Sequence, residues 1–221
     1  KKIRIVNTKI RDGFHDSTNE EKKIRIVNTK HTDKYNSIDE KSLEELIYKQ
    51  EVNQCVPSSI VNGLISVKDN YIIDESNSID EALTKMKELV LLFYKKAGIK
   101  DTTKGNIFVS NAFKQIPKLT NEYKILSLDN LSNNQYEWLK ELITSRNGFF
   151  SGPSTLTRNH QVCVYKYENK QFWFKDSLKD KPYSMKENEF KQYLSEHTSN
   201  SWTFVVYKKD LEIPDYNGKR L

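Results

Sequence analysis

The sequence predicts an α+β fold, and three observations lead to this prediction. Apolar residues follow helical spacing through most of the first half of the chain, whereas alternating strand patterns dominate the second half. The 221 residues include 10 Phe, 12 Tyr and 3 Trp, which is enough large apolar side chains for a folded core. No shift in composition marks a second domain inside residues 37–215. Because helices precede strands, we expect a helical lobe packed against one face or end of an antiparallel sheet.

The first half contains four predicted helices. Cys55 lies at the start of the second one, where Pro57 is tolerated because the first turn needs no N–H from it. Ser78 and Glu81 form a capping box that begins the third helix, and Pro117 stops the fourth. One side of the second helix carries Ile60, Val61, Leu64 and Ile65. The predicted helices cover about residues 39–49, the segment after a turn at 52–57, 78–97 and 107–115.

The second half contains predicted strands. The clearest pair is His160–Tyr167 and Gln171–Asp176, which the turn Glu168–Lys170 joins into a hairpin. Because paired antiparallel strands bring opposite ends together, this hairpin places His160 close to Asp176. Further strands are expected over about residues 123–128, 148–151 and 202–207, with helices over about 135–145 and 187–196.

The positive charge of the chain is concentrated at its amino terminus. The formal net charge is +6, but residues 1–30 hold 9 Lys and Arg against 4 Asp and Glu, which leaves 27 against 26 in the remainder. A nucleic-acid surface needs several cations on one face of the folded part. The sequence therefore argues against nucleic acid as a partner.

The same amino-terminal segment contains a repeat. The nonapeptide Lys1–Lys9 recurs unchanged as Lys22–Lys30. Two copies are too few for a solenoid, in which three or more repeats bury one another's faces. Each copy is interpreted either as a docking strand or basic membrane-surface arm, or as a duplication without a role. We expect a basic tail over residues 1–36, one folded domain over 37–215 and a carboxyl-terminal tail over 216–221.

Several classes of function find no support in the sequence. The only cysteines, Cys55 and Cys163, cannot make a four-ligand zinc site unaided, and their small number indicates a reducing compartment. No run of eighteen apolar residues or apolar leader occurs, so we expect no membrane span or export signal. With 7 glycines, no phosphate-binding loop and no paired-histidine motif, we expect no cofactor or metal.

The predicted candidate site combines a thiol, an imidazole, a carboxylate and a carboxamide. Cys55 at a helix start is placed as a nucleophile, since the helix dipole favours negative charge there. His160 would be its base, with Asp176 holding the ring in one tautomer. Gln50 is the candidate oxyanion donor. Gln54 also carries an amide, but because it is adjacent to Cys55 we expect its side chain to point away from the site.

Other side chains of the same types are interpreted as structural. His15, His31 and His197 are expected on the surface, and Cys163 is expected in the core. On residue type alone, a structural role stays open for Cys55 as well, because most buried cysteines behave as small hydrophobes.

Several pieces of the chain, in order, resemble the Josephin family of deubiquitinases. The resemblance covers about residues 43–215, most of the chain. The matching pieces are Gln50–Cys55 with Ile60–Leu64 (active-site helix), Gly105–Lys114 (a later helix), His160–Leu178 (histidine hairpin) and Trp202–Leu211 (closing strand).

This resemblance implies a papain-like cysteine protease fold, in which the helix over residues 78–97 is a mobile arm above the cleft. Carried over by position, Cys55 is the nucleophile, His160 the base and Gln50 the oxyanion donor. Asp176 occupies the orienting position, where the family has an amide residue. Gln161 departs from the family pattern, which has an aromatic residue after the histidine.

The implied function is that of a cysteine isopeptidase that removes ubiquitin from conjugates by cutting after its carboxyl-terminal glycine. Two alternatives stay open: a papain-like thiol enzyme acting on another protein, as a protease or glutamine deamidase, and a non-catalytic ubiquitin-binding module. We expect ubiquitin or polyubiquitin conjugates as partners, a monomer, and a cytosolic location, which for a secreted microbial effector is the host cytosol.

Overall fold

The computed structural model describes residues 38–73, 76–103, 109–128, 133–157, 159–197 and 203–211. These residues form a mixed α+β structure built on a six-stranded antiparallel sheet, which confirms the predicted class. The helices are α1 (Glu40–Glu45), α2 (Cys55–Ser66), α3 (Asn70–Ile73), α4 (Ile79–Lys96), α5 (Val109–Lys114), α6 (Pro117–Glu122), α7 (Asn133–Thr144) and α8 (Glu187–His197). The strands are β1 (Tyr123–Ser127), β2 (Gly148–Pro153), β3 (Gln161–Glu168), β4 (Gln171–Lys175), β5 (Tyr183–Lys186) and β6 (Phe204–Lys208).

The strands lie in the order β1, β6, β2, β3, β4, β5, and every neighbouring pair is antiparallel. β3 and β4 form the predicted hairpin, and its loop residues Asn169 and Lys170 have φ values of 53° and 59°. Two successive residues with positive φ are typical of a type I′ turn, whose twist matches that of the strands. The hairpin therefore reverses tightly, and the opposite ends of its strands stay side by side.

Helices cover both faces of this sheet, which differs from the predicted lobe on one face. In β2, Phe149 belongs to the core formed with α1 to α6, whereas Phe150 belongs to the core formed with α7 and α8. Successive residues of a strand point to opposite faces, so the continuous apolar sequence of β2 requires cover on both. The predicted helical lobe corresponds to α1 to α6, and α7 and α8 form a separate layer.

α2 is the central helix of the larger core. Every residue from Val56 to Ser66 is buried, so the helix is covered all round and not on the single side that its spacing predicts. It packs on β2 and β3. Gly63 permits the close approach to the sheet, because a Cβ there would lie 2.2 Å from the ring of Phe149. The candidate nucleophile therefore starts the most enclosed helix among the described residues.

α4 begins and ends as the sequence predicts. The Ser78 hydroxyl accepts from the Glu81 N–H at 3.2 Å, and the helix is followed by Gly98 with a φ of 71°. The face that carries Met86 and Phe93 is buried in the core, packed against α2, α3 and α5. α4 is thus packed into the helical core along this face, and its role as a mobile arm above the cleft stays a prediction.

The first helix is shorter than predicted. α1 ends at Glu45, and Leu46 is already extended with a ψ of 124°. Beyond it, Tyr48 is bound at its N–H and its carbonyl by the side chain of Asn62, at 2.7 and 3.2 Å. These two bonds hold the segment leading to Gln50 in an extended conformation on α2, so helix propensity is overridden by a tertiary contact.

Three elements were not predicted: α3, α6 and β5. The sequence predicts only that Pro117 ends the preceding helix. It also begins α6, where the first turn needs no backbone N–H from it for a hydrogen bond. β5 is a four-residue edge strand, and its Tyr183 stacks on Phe174 with ring centroids 5.0 Å apart. The predicted tails, the repeat, the start of the helix expected at 107 and Trp202 lie outside the described residues.

Candidate active site

Cys55 begins α2 directly after a tight turn. In the turn Glu51–Gln54, the Gln54 N–H donates to the Glu51 carbonyl at 3.3 Å, and Asn53 has a φ of 61°. Asparagine tolerates this left-handed conformation better than most residues. The Cys55 side chain is partly exposed, although the rest of α2 is buried. The sulfur is therefore accessible and stands at the helix end where the dipole favours negative charge.

The hairpin brings His160 and Asp176 into contact. The two residues immediately precede β3 and follow β4, and His160 Nε2 lies 2.6 Å from Asp176 Oδ1. Both are enclosed, with 6% of His160 and 0% of Asp176 exposed. A buried charge-assisted hydrogen bond of this length fixes the plane of the imidazole ring.

Cys55 lies close enough to His160 to influence its pKa, so the imidazole is near both the sulfur and the carboxylate. Because Nε2 faces Asp176, the second ring nitrogen, Nδ1, is the one available to the thiol. Burial lowers the pKa of His160, but the hydrogen bonds and charges of Asp176 and Cys55 outweigh burial and raise the pKa to about 9. A pKa this high favours the imidazolium, which is the form that His160 takes when it has accepted the proton of Cys55.

Asp176 is held as a carboxylate by its own turn. Burial raises the pKa of Asp176. The hydrogen bonds from His160 and from the Leu178 N–H lower it by more, so the pKa of Asp176 is below its ordinary value. The Leu178 N–H donates to the same oxygen, Oδ1, at 2.9 Å. Asp176 therefore remains charged, and it orients the ring as the sequence predicts for a residue in this place.

Gln50 is anchored on the opposite side of the same turn. The Ser177 hydroxyl donates to Gln50 Oε1 at 2.6 Å. Since the amide oxygen is occupied, Nε2 is the end of the Gln50 side chain that can donate to a ligand. Ser177 follows Asp176 in sequence, so one short turn holds both the carboxylate and the carboxamide.

Gln54, the competing amide, belongs to the turn that precedes Cys55. Its Oε1 accepts from the Glu51 N–H at 3.4 Å, and only 1% of the residue is exposed. This side chain folds back on its own turn, in agreement with the expectation that adjacency aims it elsewhere.

A buried polar chain connects α2 to the start of β3. Gln161 Nε2 donates to the Ser151 hydroxyl at 2.8 Å, and the hydroxyls of Ser151 and Ser59 are 2.6 Å apart. Ser59 lies one helical turn after Cys55 and also donates to the Val56 carbonyl at 2.7 Å. The chain therefore fixes the helix that carries the sulfur relative to the strand that follows the imidazole.

Sequence reasoning missed Ser177, Ser151 and Ser59. Ser177 could have been found from its position after the candidate acid, because a turn hydroxyl there reaches whatever packs on that turn. Ser151 and Ser59 gave no such signal, since their partners lie on other elements. Gln161, noted in the sequence only as a departure from the family pattern, uses its amide in this polar chain.

The other candidate side chains lie away from this constellation or outside the described residues. Cys163 is fully buried in the core, as predicted, and burial raises the pKa of its thiol. His197 ends α8, and His15 and His31 fall outside the described ranges. Within those ranges no group of three His, Cys, Asp or Glu side chains is arranged to hold a metal ion.

Comparison with protein-family models gave no matching family, and comparison with curated proteins gave no match. A partly exposed thiol near an imidazole that a buried carboxylate orients has the arrangement used for nucleophilic attack on acyl groups. Among the helices described, none is both long enough and apolar enough to pass through a membrane.

Proposed function

We propose that this protein is a papain-like cysteine isopeptidase that removes ubiquitin from conjugates. The observation that carries the proposal is the hydrogen bond between His160 Nε2 and Asp176 Oδ1 at 2.6 Å, with Cys55 close enough to His160 to raise its pKa. The Josephin-like order of motifs in the sequence supports ubiquitin as the substrate. A nucleophile at the start of a buried helix, facing a base on an antiparallel sheet, supports a papain-like fold.

In the proposed reaction, the thiol of Cys55 gives its proton to His160, and the sulfur attacks the carbonyl carbon of the scissile amide. The carbonyl oxygen becomes negative, and Gln50 Nε2 donates to it. The imidazolium then protonates the amine nitrogen as the C–N bond breaks, which leaves a thioester on Cys55 and releases the amine. Asp176 stabilises the positive charge on the ring throughout.

Hydrolysis of the thioester completes the cycle. A water molecule gives a proton to His160 as its oxygen attacks the thioester carbonyl. The C–S bond breaks, His160 returns its proton to the sulfur, and the carboxylic acid of ubiquitin leaves and loses its remaining proton to the solvent. Gln50 again donates to the oxyanion, so the same four side chains serve both steps.

The test is covalent reaction with a ubiquitin carboxyl-terminal activity probe. We expect a stable adduct with the full chain and no adduct with Cys55→Ala. No adduct with the parent chain, or an adduct that survives Cys55→Ala, contradicts the proposal. A panel of other ubiquitin-like modifiers and candidate protein targets then distinguishes a thiol enzyme of different specificity. Tight binding of ubiquitin without turnover identifies a binding module.

The proposed partner and location follow from the same chemistry. Ubiquitin conjugates are substrates in the cytosol, and both cysteines are free thiols, as an enzyme of a reducing compartment requires. We propose a cytosolic enzyme that acts as a monomer, with the host cytosol as the place of action if the protein is a secreted effector.

A further inference from the structure

In the described part of the chain, most of the exposed large hydrophobic side chains lie close in sequence to the candidate catalytic residues. These side chains are Val52 (66% exposed), Leu156 (60%), Leu178 (51%) and Leu91 (43%). The first three lie on the turns next to Cys55, His160 and Asp176, respectively, and the fourth lies on α4. Isolated exposed apolar residues are ordinary on protein surfaces. Here, however, three exposed apolar residues lie on the three turns next to the candidate catalytic residues, so they are treated as one feature of the site.

The turn that carries Val52 is held firmly in place. Asn53 Nδ2 donates to the Thr103 carbonyl at 2.6 Å, and the Tyr94 hydroxyl donates to the Asn53 carbonyl at 3.1 Å. These bonds tie the residue between Val52 and Gln54 to α4 and to the loop after it. Val52 is therefore presented to solvent by a fixed turn.

The other two turns present their leucines in the same way. The Leu156 N–H donates to the Ser154 hydroxyl at 3.1 Å, and the Ser154 N–H donates to the His160 carbonyl at 2.7 Å. The Leu178 N–H donates to Asp176 Oδ1 at 2.9 Å, and the turn is closed by a further bond from the Lys179 N–H to the Asp176 carbonyl. In both cases the backbone that holds the apolar side chain also contacts a candidate catalytic residue.

We infer that Val52, Leu156 and Leu178 form an apolar rim that binds the apolar side chains of the acyl-side segment of a protein substrate. The inference rests on the proposed function and deepens it, because it assigns the residues that recognise the carboxyl-terminal tail of ubiquitin. The occupant is the acyl segment because that segment stays bonded to Cys55 through the thioester, whereas the amine leaves. Contacts that hold it must therefore lie next to the sulfur in both steps.

The expected size of the effect follows from the area involved. Each rim side chain is about half to two thirds exposed, so covering it by an apolar partner removes a substantial part of its surface from water. We expect each substitution by serine to lower kcat/KM about three- to tenfold, mainly through KM. Substituting all three together is expected to lower it by about a hundredfold or more.

The first test uses active-site labels that do not depend on ubiquitin. Peptidyl chloromethyl ketones that end in glycine and carry either leucine or serine at an earlier position are compared; the sulfur displaces chloride and forms a thioether. We expect the parent to react faster with the leucine label, and Val52→Ser, Leu156→Ser and Leu178→Ser to lose this preference. The matched control Leu91→Ser keeps it. Iodoacetamide, which is too small to reach the rim, is expected to alkylate all four variants at the parental rate.

The second test measures KM and kcat on ubiquitin that carries a fluorogenic amide at its carboxyl terminus. A raised KM with kcat retained in the rim variants, and no change in Leu91→Ser, supports the rim. If the parent prefers the leucine label but does not process ubiquitin, the rim stands and the proposed substrate is wrong. If ubiquitin is processed and neither KM nor the label preference changes in the rim variants, the rim is wrong and the proposed function stands. Self-association of the parent that is lost in the rim variants, without a change in labelling, also overturns the inference.

Discussion

At the scale of single residues, the candidate site acts most directly on the pKa of His160. Against burial, Asp176 and Cys55 raise the pKa of His160 from 6.5 to about 9. Stability from this imidazolium is fully present below about pH 6.5 and is lost as the pH rises through about 9. Because the leaving amine needs the same proton, we predict that kcat/KM on amide substrates falls as the pH rises through about 9.

Substitution of Asp176 by asparagine tests the origin of this pKa. The change removes one of the two partners that raise it, so we predict that the alkaline limb of the pH profile moves to lower pH. We also predict that kcat falls by roughly a hundredfold, because the ring loses its orienting charge. The matched control is Asp180→Asn, a fully solvated carboxylate a few residues away that pairs with Lys49. An unmoved limb in Asp176→Asn would contradict the assignment.

Ser177 is predicted to act through Gln50. Removing the oxyanion donor itself, in Gln50→Ala, is expected to lower kcat by roughly a hundredfold to a thousandfold. Ser177→Ala removes only the anchor at 2.6 Å, so we predict a smaller fall in kcat with KM little changed. The variant Ser177→Thr keeps the hydroxyl, so its kcat is expected to be close to that of the parent.

A double-mutant cycle separates this role from a purely structural one. In the Gln50→Ala background, Ser177→Ala is expected to have no further effect on kcat, because the anchored group is already gone. Equal effects of Ser177→Ala in both backgrounds would show that the serine does not act through Gln50.

At the scale of elements, Glu187 joins α7, β3 and α8. It accepts from Lys140 Nζ at 2.8 Å, from the Tyr167 hydroxyl at 2.6 Å and from the Tyr136 hydroxyl at 3.0 Å. Chiefly through the Lys140 bond, these partners lower the pKa of Glu187 from 4.5 to about 2. The carboxylate therefore contributes stability above about pH 4.5 that is lost as the pH falls through about 2.

We predict that Glu187→Gln lowers the free energy of unfolding by about 1–3 kcal/mol at neutral pH, since three donors lose a charged acceptor. The difference from the parent is expected to shrink as the pH falls below about 4.5, where Glu187 of the unfolded chain takes up a proton while the folded carboxylate stays charged until about pH 2. Urea unfolding at a series of pH values measures both effects. Glu141→Gln, at an exposed site on α7, is the control and is expected to change little.

The sequence predicted elements well wherever local pattern and tertiary packing agree. The capping box at Ser78 and the hairpin turn at Asn169 are local chemistry, and both are present as expected. The end of α1 could not be predicted, because it depends on the bonds between Tyr48 and Asn62, which lie on separate segments. β5 is too short to show a strand period, and it is recognised only by its pairing with β4.

At the scale of the whole molecule, the contact between α2 and the sheet joins the two halves of the site. A side chain at Gly63 would overlap the ring of Phe149, at 2.2 Å from the added Cβ. We predict that Gly63→Ala lowers the free energy of unfolding by about 1–3 kcal/mol and also lowers activity, since α2 carries Cys55 away from the sheet.

Two further variants test this interpretation. Adding Phe149→Leu to Gly63→Ala is expected to relieve part of the overlap and recover part of the stability. Gly98→Ala, at a site with nothing within 4 Å but a φ of 71°, is expected to cost about 1 kcal/mol through backbone strain while leaving activity unchanged. If Gly63→Ala unfolds at the same urea concentration as the parent, the close packing is not essential.

The candidate site was predicted from sequence as four residue types in order, and the structure joins His160 to Asp176 by a hydrogen bond and brings Cys55 close enough to influence the pKa of His160. Proximity of His160 and Asp176 follows from the hairpin alone. The position of Gln50 does not, because it depends on a bond to Ser177 across the molecule. The catalytic roles of these residues stay predictions until they are measured.

The central place of β6 in the sheet has a consequence for biosynthesis. This strand comes last among the described strands, yet it pairs with both β1 and β2. While the nascent chain is still emerging, Cys55 has neither its base nor a completed sheet beneath its helix. The sheet beneath the helix of Cys55 is therefore complete only after β6 has been synthesised, which is later than the synthesis of His160 and Asp176.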